Sequence, residues 1–238
     1  MQEKIYYLSK DVIDNDLFFK EVLCLDTKNN YYWSDDWSEE FYIKLAKLGF
    51  IATSFEAKGD LVLLPELQFD YAVLYFQDLH ISKKVQKLLN SDKYIFSQNT
   101  HFNNVLDHID KLHEHNWLKG KYRELLTTLY EKNDLRDDFK VFSYEVVCSR
   151  TKKLVAGEVG YKTGSVYTSL SGFSLGEKEY NNFGTLQLVL LAKYLQKEGY
   201  TFWNLGHPHM EYKKKLGAKI YTREEFLEIF LQGCYNFI

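Results

Sequence analysis

The period of the apolar positions changes twice between residues 141 and 205, and that stretch predicts the centre of the fold. Residues 141–147 and 154–161 are short, apolar and partly alternating, the pattern of half-buried strands. Residues 165–173 form a further strand, with Gly164 as the turn between. Helical spacing then takes over. Leu186, Val189, Leu190 and Tyr194 recur at i, i+3, i+4 and i+8, while Thr185, Lys193, Gln196 and Lys197 fall largely on the other side. Gly199 ends this helix and residues 200–205 follow as a strand. Strand, helix, strand is a crossover, so 165–173 and 200–205 are predicted to share one sheet as parallel members.

The flanks are simpler. Trp33-Ser34-Asp35-Asp36-Trp37-Ser38 introduces a helix over 39–48 that Gly49 closes. Residues 50–55 and 61–64 read as strands joined by a Lys58-Gly59-Asp60 turn. Ser82 is placed to cap a helix over 83–90, and Thr100 to cap one over 101–115 whose Phe102, Val105, Leu106, Ile109 and Leu112 share a face. That helix carries His101, His108, His113 and His115, which lack the i, i+4 pairing with a carboxylate that a metal site needs. A further helix spans 118–132 after Trp117. Met210 to Leu216 is a short helical piece capped by Gly217, and Thr222-Arg223-Glu224-Glu225 is a capping box opening a last helix over 223–232.

Composition narrows the function classes. Apolar residues make up 45% and charged residues 26%, which suits a globular protein of one large or two small domains. The net charge of −3 supplies no global field for a polyanion, so nucleic-acid binding needs a local patch. The one candidate patch is Lys213, Lys214, Lys215, Lys219 and Arg223, a run with no acid between Tyr212 and Arg223. Three cysteines without C-x-x-C spacing point to reduced thiols, the first ten residues lack an apolar leader core, and no run is long enough to span a bilayer. The expectation is a soluble, cytoplasmic protein with no membrane partner. The oligomeric state is left open.

An ordered set of motifs then resembles the leucyl/phenylalanyl-tRNA–protein transferase family over residues 60 to 230. Leu216-Gly217-Ala218 is followed at the family's spacing by Arg223 and Phe226-Leu227, and Leu79-His80-Ile81-Ser82 precedes a Lys-rich helix. Leu154-Val155-Ala156-Gly157 and Ser171-Gly172-Phe173-Ser174 match two consecutive strands, and Trp117 matches a tryptophan that lines the family's active site. The resemblance implies an α/β (α+β) fold with a GCN5-related acetyltransferase-like mixed sheet. It implies a small N-terminal α/β domain over 1–78 and an acyltransferase-like domain over 79–238. It also implies an activity: transfer of an apolar aminoacyl group from aminoacyl-tRNA to the N-terminal amine of a protein or peptide, marking the acceptor for degradation. No metal and no cofactor are expected.

The chain departs from the family pattern at polar positions. Leu170 stands where the family has a glutamate, Asn204 where it has an aspartate and Gly206 where it has a glutamine, and one extra residue separates Asn204 from Leu216. An asparagine amide cannot act as a base, though it can donate to an oxyanion. Asn204 and Glu158 are therefore the candidate catalytic residues. Glu158 is the one acid in its strand, either a free strand charge or a cleft carboxylate. Trp117 and Phe173 are expected to line a substrate pocket, with Tyr167, Ser169 and Ser171 alternating on one strand face beside it. His207 and His209 follow the strand carrying Asn204, where sites of α/β proteins gather. Lys213, Lys214, Lys215, Lys219 and Arg223 are the candidates for tRNA phosphates. Two other readings stay open: an acyl-CoA N-acyltransferase of the same superfamily, and a catalytically inactive relative that binds tRNA or peptide.

Overall fold

The computed structural model describes residues 5–235. The chain opens with β1 (Tyr6–Tyr7), α1 (Lys10–Asp14) and α2 (Asp16–Phe18), which runs into a π-turn at Phe19–Leu23. β2 (Tyr32–Trp33) pairs in parallel with β1. Ser38 caps α3 (Glu39–Lys47) by accepting from the Phe41 amide. β3 (Ile51–Ala57) and β4 (Asp60–Glu66) make a hairpin. Its turn places Lys58 and Gly59 at φ of 52° and 89°, the left-handed geometry that suits a two-residue connection. Then come β5 (Asp70–Leu74), α4 (Lys83–Leu89), β6 (Tyr94–Gln98), α5 (Phe102–Leu112) and α6 (Lys121–Glu131). The last part is β7 (Phe139–Cys148), β8 (Leu154–Thr163), β9 (Val166–Ser174), α7 (Phe183–Lys197), β10 (Phe202–Asn204), α8 (Glu211–Leu216), β11 (Lys219–Thr222) and α9 (Arg223–Tyr235).

Seven strands form the main sheet in the order β11-β5-β10-β9-β8-β7-β6. β10 lies parallel to β9 with Trp203 opposite Tyr167, and α7 is the crossover between them, as the change of period predicts. All other pairs in this sheet are antiparallel. The mixed α/β class is therefore met. β5 precedes residue 78, yet it is an interior strand of this sheet between β11 and β10.

Two apolar cores lie on the two faces of the sheet. One holds Leu186, Val189, Leu191, Ala192 and Leu195 of α7 against Tyr167 and Trp203. The other holds α3, the start of β3, α5, α6 and α9 against Val159, Val166, Phe173 and Phe202. On this second side tyrosine hydroxyls tie the hairpin to the sheet. Tyr71 donates to the Gly49 carbonyl (3.1 Å), Tyr161 to Phe50 (3.2 Å) and Tyr122 to Ala52 (2.7 Å). Each bond gives a buried phenol a backbone acceptor; Tyr71 Oη also accepts from the Gln68 amide, and Tyr122 Oη, on α6, also meets Tyr42 Oη.

Several local expectations are met with small shifts. Ser82 caps α4, Thr222 and Glu225 form the capping box, and Gly199 and Gly217 end their helices at φ of 79° and 108°. Thr100 is not a cap: its hydroxyl turns back to the Gln98 carbonyl, and α5 starts after His101.

Candidate functional site

The sheet divides the candidate residues into two groups. Trp203 Nε1 donates to Ser169 Oγ (2.8 Å), while its neighbour Asn204 donates to Thr168 Oγ1 (3.3 Å). Successive side chains of a strand point to opposite faces, so Trp203 and Ser169 look towards α7 and Asn204 and Thr168 look towards the hairpin and α9.

Glu158 belongs to the α7 group. Ser169 Oγ (2.7 Å) and Tyr167 Oη (3.1 Å) both donate to its Oε1. Burial pushes its carboxyl up to about 7, against the pull of Ser169, Tyr167, Gln187 and Lys213. Gly160 makes room for this arrangement, because a Cβ there would stand 2.5 Å from Tyr167 Oη. Glu158 is thus no free strand charge: it is a covered acid with Tyr167 and Ser169 as its hydrogen-bond donors.

Ser171 parts company with Ser169. Val159 pairs with Ser171 and Gly160 with Ser169, so Leu170 is an extra residue in β9, a β-bulge. The bulge reverses the alternation, which is why Tyr167 and Phe173, of the same parity, lie in opposite cores. Ser171 follows Phe173 onto the second face. There Phe173 stacks on His108 at 4.6 Å. Trp117 stands edge-on to Tyr122 at 5.0 Å, and its carbonyl accepts from Ser54 Oγ (2.5 Å). The two rings share one core and have different neighbours.

Asn204 is fully covered at the end of β10. Its Oδ1 accepts from the Gly206 amide (3.0 Å), which orients the NH₂ group towards Thr168 and leaves one amide hydrogen without a recorded acceptor among the described residues. The chain then turns at Gly206 (φ 70°), where a Cβ would press on Ile51 at 3.2 Å. Past the turn, His207 Nε2 meets Glu66 Oε2 at 2.8 Å. Glu66 is buried at the end of β4, where Asn30 Nδ2 donates to Oε1 (2.7 Å) and Gln68 Nε2 reaches Oε2 (3.4 Å). Gln68 Oε1 is buried with no hydrogen-bond partner. His209 is exposed and stacks on His207 at 5.6 Å.

The basic run separates in the same way. Arg223 is buried, and its guanidinium donates to the carbonyls of Leu23, Asp26, Asn29, Leu67 and Gln68 while lying 4.7 Å over the Phe69 ring. Every donor direction is committed, so it cannot reach a phosphate. Lys213 is buried too. Its Nζ donates to the carbonyls of Leu205 (2.5 Å) and His207 (2.6 Å), and burial lowers its ammonium to about 8 while Glu158 draws it back up. Lys219 pairs with Asp78 at 2.7 Å. Lys214 and Lys215 are exposed on α8 and, among the described residues, have no ion-pair partner. The runs of three lysines and of Lys219 to Arg223 look uniform in sequence because a helix and a strand edge turn their members to different sides.

Sequence reasoning did not pick out Glu66 or Gln68. Their signal was present: an acid and an amide at i and i+2 at the end of an apolar strand.

With this geometry in place, the similarities have a structural address. The family model described as leucyl/phenylalanyl-tRNA protein transferase matches residues 73–231, from β5 into α9. The chain belongs to that family. It is 28% identical over 232 residues to a leucyl/phenylalanyl-tRNA–protein transferase of Flavobacterium johnsoniae, covering 94% of this chain and 98% of that one. It is 24% identical over 159 residues to one of Pseudomonas putida, covering 66% of this chain and 65% of that one. Among solved structures it is similar to the crystal structure of FemX, with a TM-score of 0.47, 11% identity, and coverage of 82% of this chain and 70% of that one. Membership in the transferase family makes the chain one of its enzymes, and the matched region contains Trp117, Phe173 and Asn204 but begins after Glu66 and Gln68. No group of His, Cys, Asp and Glu among the described residues is arranged to hold a metal. No helix among them is long and apolar enough to cross a membrane.

Proposed function

We propose that this chain transfers a leucyl or phenylalanyl group from aminoacyl-tRNA to the N-terminal amine of a protein, tagging the acceptor for degradation in the cytoplasm. The observation that carries the reading is the family match over 73–231, which spans the sheet bearing the residues discussed above. The reaction is aminolysis of an ester. The amine nitrogen attacks the ester carbonyl carbon, a tetrahedral oxyanion forms, and the tRNA 3′-oxygen leaves with a proton. Asn204 supplies an amide N–H for the oxyanion, since its orientation is fixed by the Gly206 amide. The apolar surroundings of Phe173 and Trp117 suit a Leu or Phe side chain.

The experiment is transfer of labelled leucine from leucyl-tRNA to a peptide beginning with Arg or Lys, read as a peptide one leucine heavier. An inactive relative is the specific rival, because Leu170 and Asn204 stand at two acidic positions of the family. Binding of charged tRNA with no transfer to either peptide establishes that rival. Thermal stabilisation by acyl-CoA but not by charged tRNA moves the assignment to acyl-CoA chemistry.

A further inference from the structure

The proposed aminolysis needs a group to take the proton of the attacking amine, and the amide of Asn204 is not a base. The loop after Asn204 holds a group that can. His207 lies three residues on, and its side chain is 40% exposed while the carboxylate it meets, Glu66, is 5% exposed. Glu66 is held from the other side by Asn30 and Gln68, so it is not free to swing away. The loop is also fixed: Asn204 Oδ1 holds the Gly206 amide, and Lys213 Nζ holds the carbonyls of Leu205 and His207. A carboxylate on Nε2 selects the tautomer with hydrogen at Nε2, which leaves the Nδ1 lone pair as acceptor. Beside this pair sits Gln68 Oε1, a buried acceptor without a partner.

We propose that His207, backed by Glu66, is the general base of the transfer reaction. The inference rests on the aminoacyl-transfer reading above. The amine passes one proton to His207 Nδ1 as its nitrogen bonds to the ester carbonyl carbon and keeps its other hydrogen in the new amide. Glu66 holds the resulting imidazolium. Collapse of the tetrahedral intermediate breaks the bond to the 3′-oxygen, and His207 returns the proton to that oxygen. One C–N bond replaces one C–O bond, one proton moves from nitrogen to oxygen, and nothing is oxidised. His207 is then a catalytic residue, and Glu66 a positioning residue acting through it. Charged and titratable neighbours of the imidazole are Glu66 from the hairpin, His209 from its own loop and Lys213 from α8. Behind Glu66 stands Tyr31, its phenol pushed up to about 12 by burial and by Glu66.

The test uses the full chain, leucyl-tRNA and an Arg-started peptide. His207→Gln retains an N–H for Glu66 but cannot carry a proton. It should lower kcat by about 10²-fold or more, with KM within about 2-fold, and remove the rise of kcat through the imidazole range that wild type shows. Glu66→Gln should lower kcat less than His207→Gln and keep the pH-dependent rise, because the imidazole stays and loses only the carboxylate that fixes its tautomer. His113→Gln, on exposed α5 flank, should match wild type. In His207→Ala, added imidazole should restore transfer. Equal kcat and pH profile in wild type and His207→Gln overturn the proposal. If the variants fail to fold, a wild-type profile flat through the imidazole range overturns it alone. Wild type that makes no product at any pH overturns the aminoacyl-transfer reading instead.

Discussion

The main sheet and the hairpin packed on its second face each carry a buried carboxylate, and they are built to opposite ends. Glu158, under α7, accepts from Ser169 and Tyr167 in a closed group in which Trp203 supplies the outer donor. Glu66, under the other face, meets a histidine whose ring reaches solvent and sits beside an acceptor with no partner. A strongly shifted carboxyl is a common sign of a functional site. Here the carboxyl raised by burial is covered by α7, and the carboxylate with an accessible partner is at the end of β4. Access separates the two: each side has a buried amide atom without a partner, Gln187 Nε2 near Glu158 and Gln68 Oε1 near Glu66, and the carboxylate paired with an exposed ring is Glu66.

The largest effect that sharpens this contrast comes from Arg223. Its guanidinium joins α9 to the loop at Leu23–Asn29 and to the segment after β4 that carries Gln68, through five carbonyls. An ammonium cannot reproduce a planar five-donor fork. Arg223→Lys should therefore cost about 3–5 kcal/mol of stability, seen as a lower urea midpoint, because buried carbonyls lose their partner. A loss under about 1 kcal/mol, the size usual for an exposed cation, would mean that the guanidinium is not holding this face together.

Glu158 should respond in the other direction. Its folded carboxyl ionises near 7, above the ordinary value of 4.5, so the folded chain keeps a proton that the unfolded chain releases between those values. Stability from this group is full below about pH 4.5, falls as pH rises towards 7 and is then level, a total on the order of 3 kcal/mol. Lys213 has the reverse sign, with an ammonium lowered from 10.5 to about 8, so its contribution is present above the upper value and is lost as pH falls through the lower one. Glu158→Gln keeps an oxygen for Ser169 and Tyr167 and removes the charge. It should raise the unfolding midpoint at pH 8 by about 1–2 kcal/mol and have no effect near pH 4. Loss of transfer with unchanged stability would break the contrast by making Glu158 the working acid.

What the chain revealed of itself follows the range of the interactions. The crossover β9-α7-β10, the β3–β4 hairpin, the capping box and the glycine helix ends depend on residues a few positions apart, and their patterns are plain in the sequence. β5, β6 and β11 lack such patterns because their place depends on distant partners; β5 pairs with β10 and β11 across more than a hundred residues. The site suffered for the same reason. A single-residue bulge at Leu170 sends Ser171 to the other face, and no local pattern announces it. The pairing of Glu66 with His207 spans 141 residues, and Arg223 reaches back 200 residues to Leu23. Asn204, Phe173 and Trp117 lie inside the family match over 73–231, whereas Glu66 and Gln68 precede it.

The smallest effect concerns the basic run, and it divides along the same line. Lys213 belongs to the interior and Arg223 holds the second face, while Lys219 is spent on Asp78, which leaves Lys214 and Lys215 to meet a polyanion. Each phosphate neutralised releases counterions, so the logarithm of affinity falls with the logarithm of salt at about 0.7–0.9 per contact. Changing Lys214 and Lys215 together to Gln should flatten the slope for charged tRNA by about 1.4–1.8 and leave the unfolding midpoint unchanged, since exposed side chains contribute little to stability. Lys213→Gln should do the reverse. It strips the Leu205 and His207 carbonyls of their donor, so the midpoint drops while the slope stays. If Lys213→Gln flattens the slope as much as the double change does, Lys213 leaves the interior to meet the tRNA, and the division between a held face and an exposed patch fails at this residue.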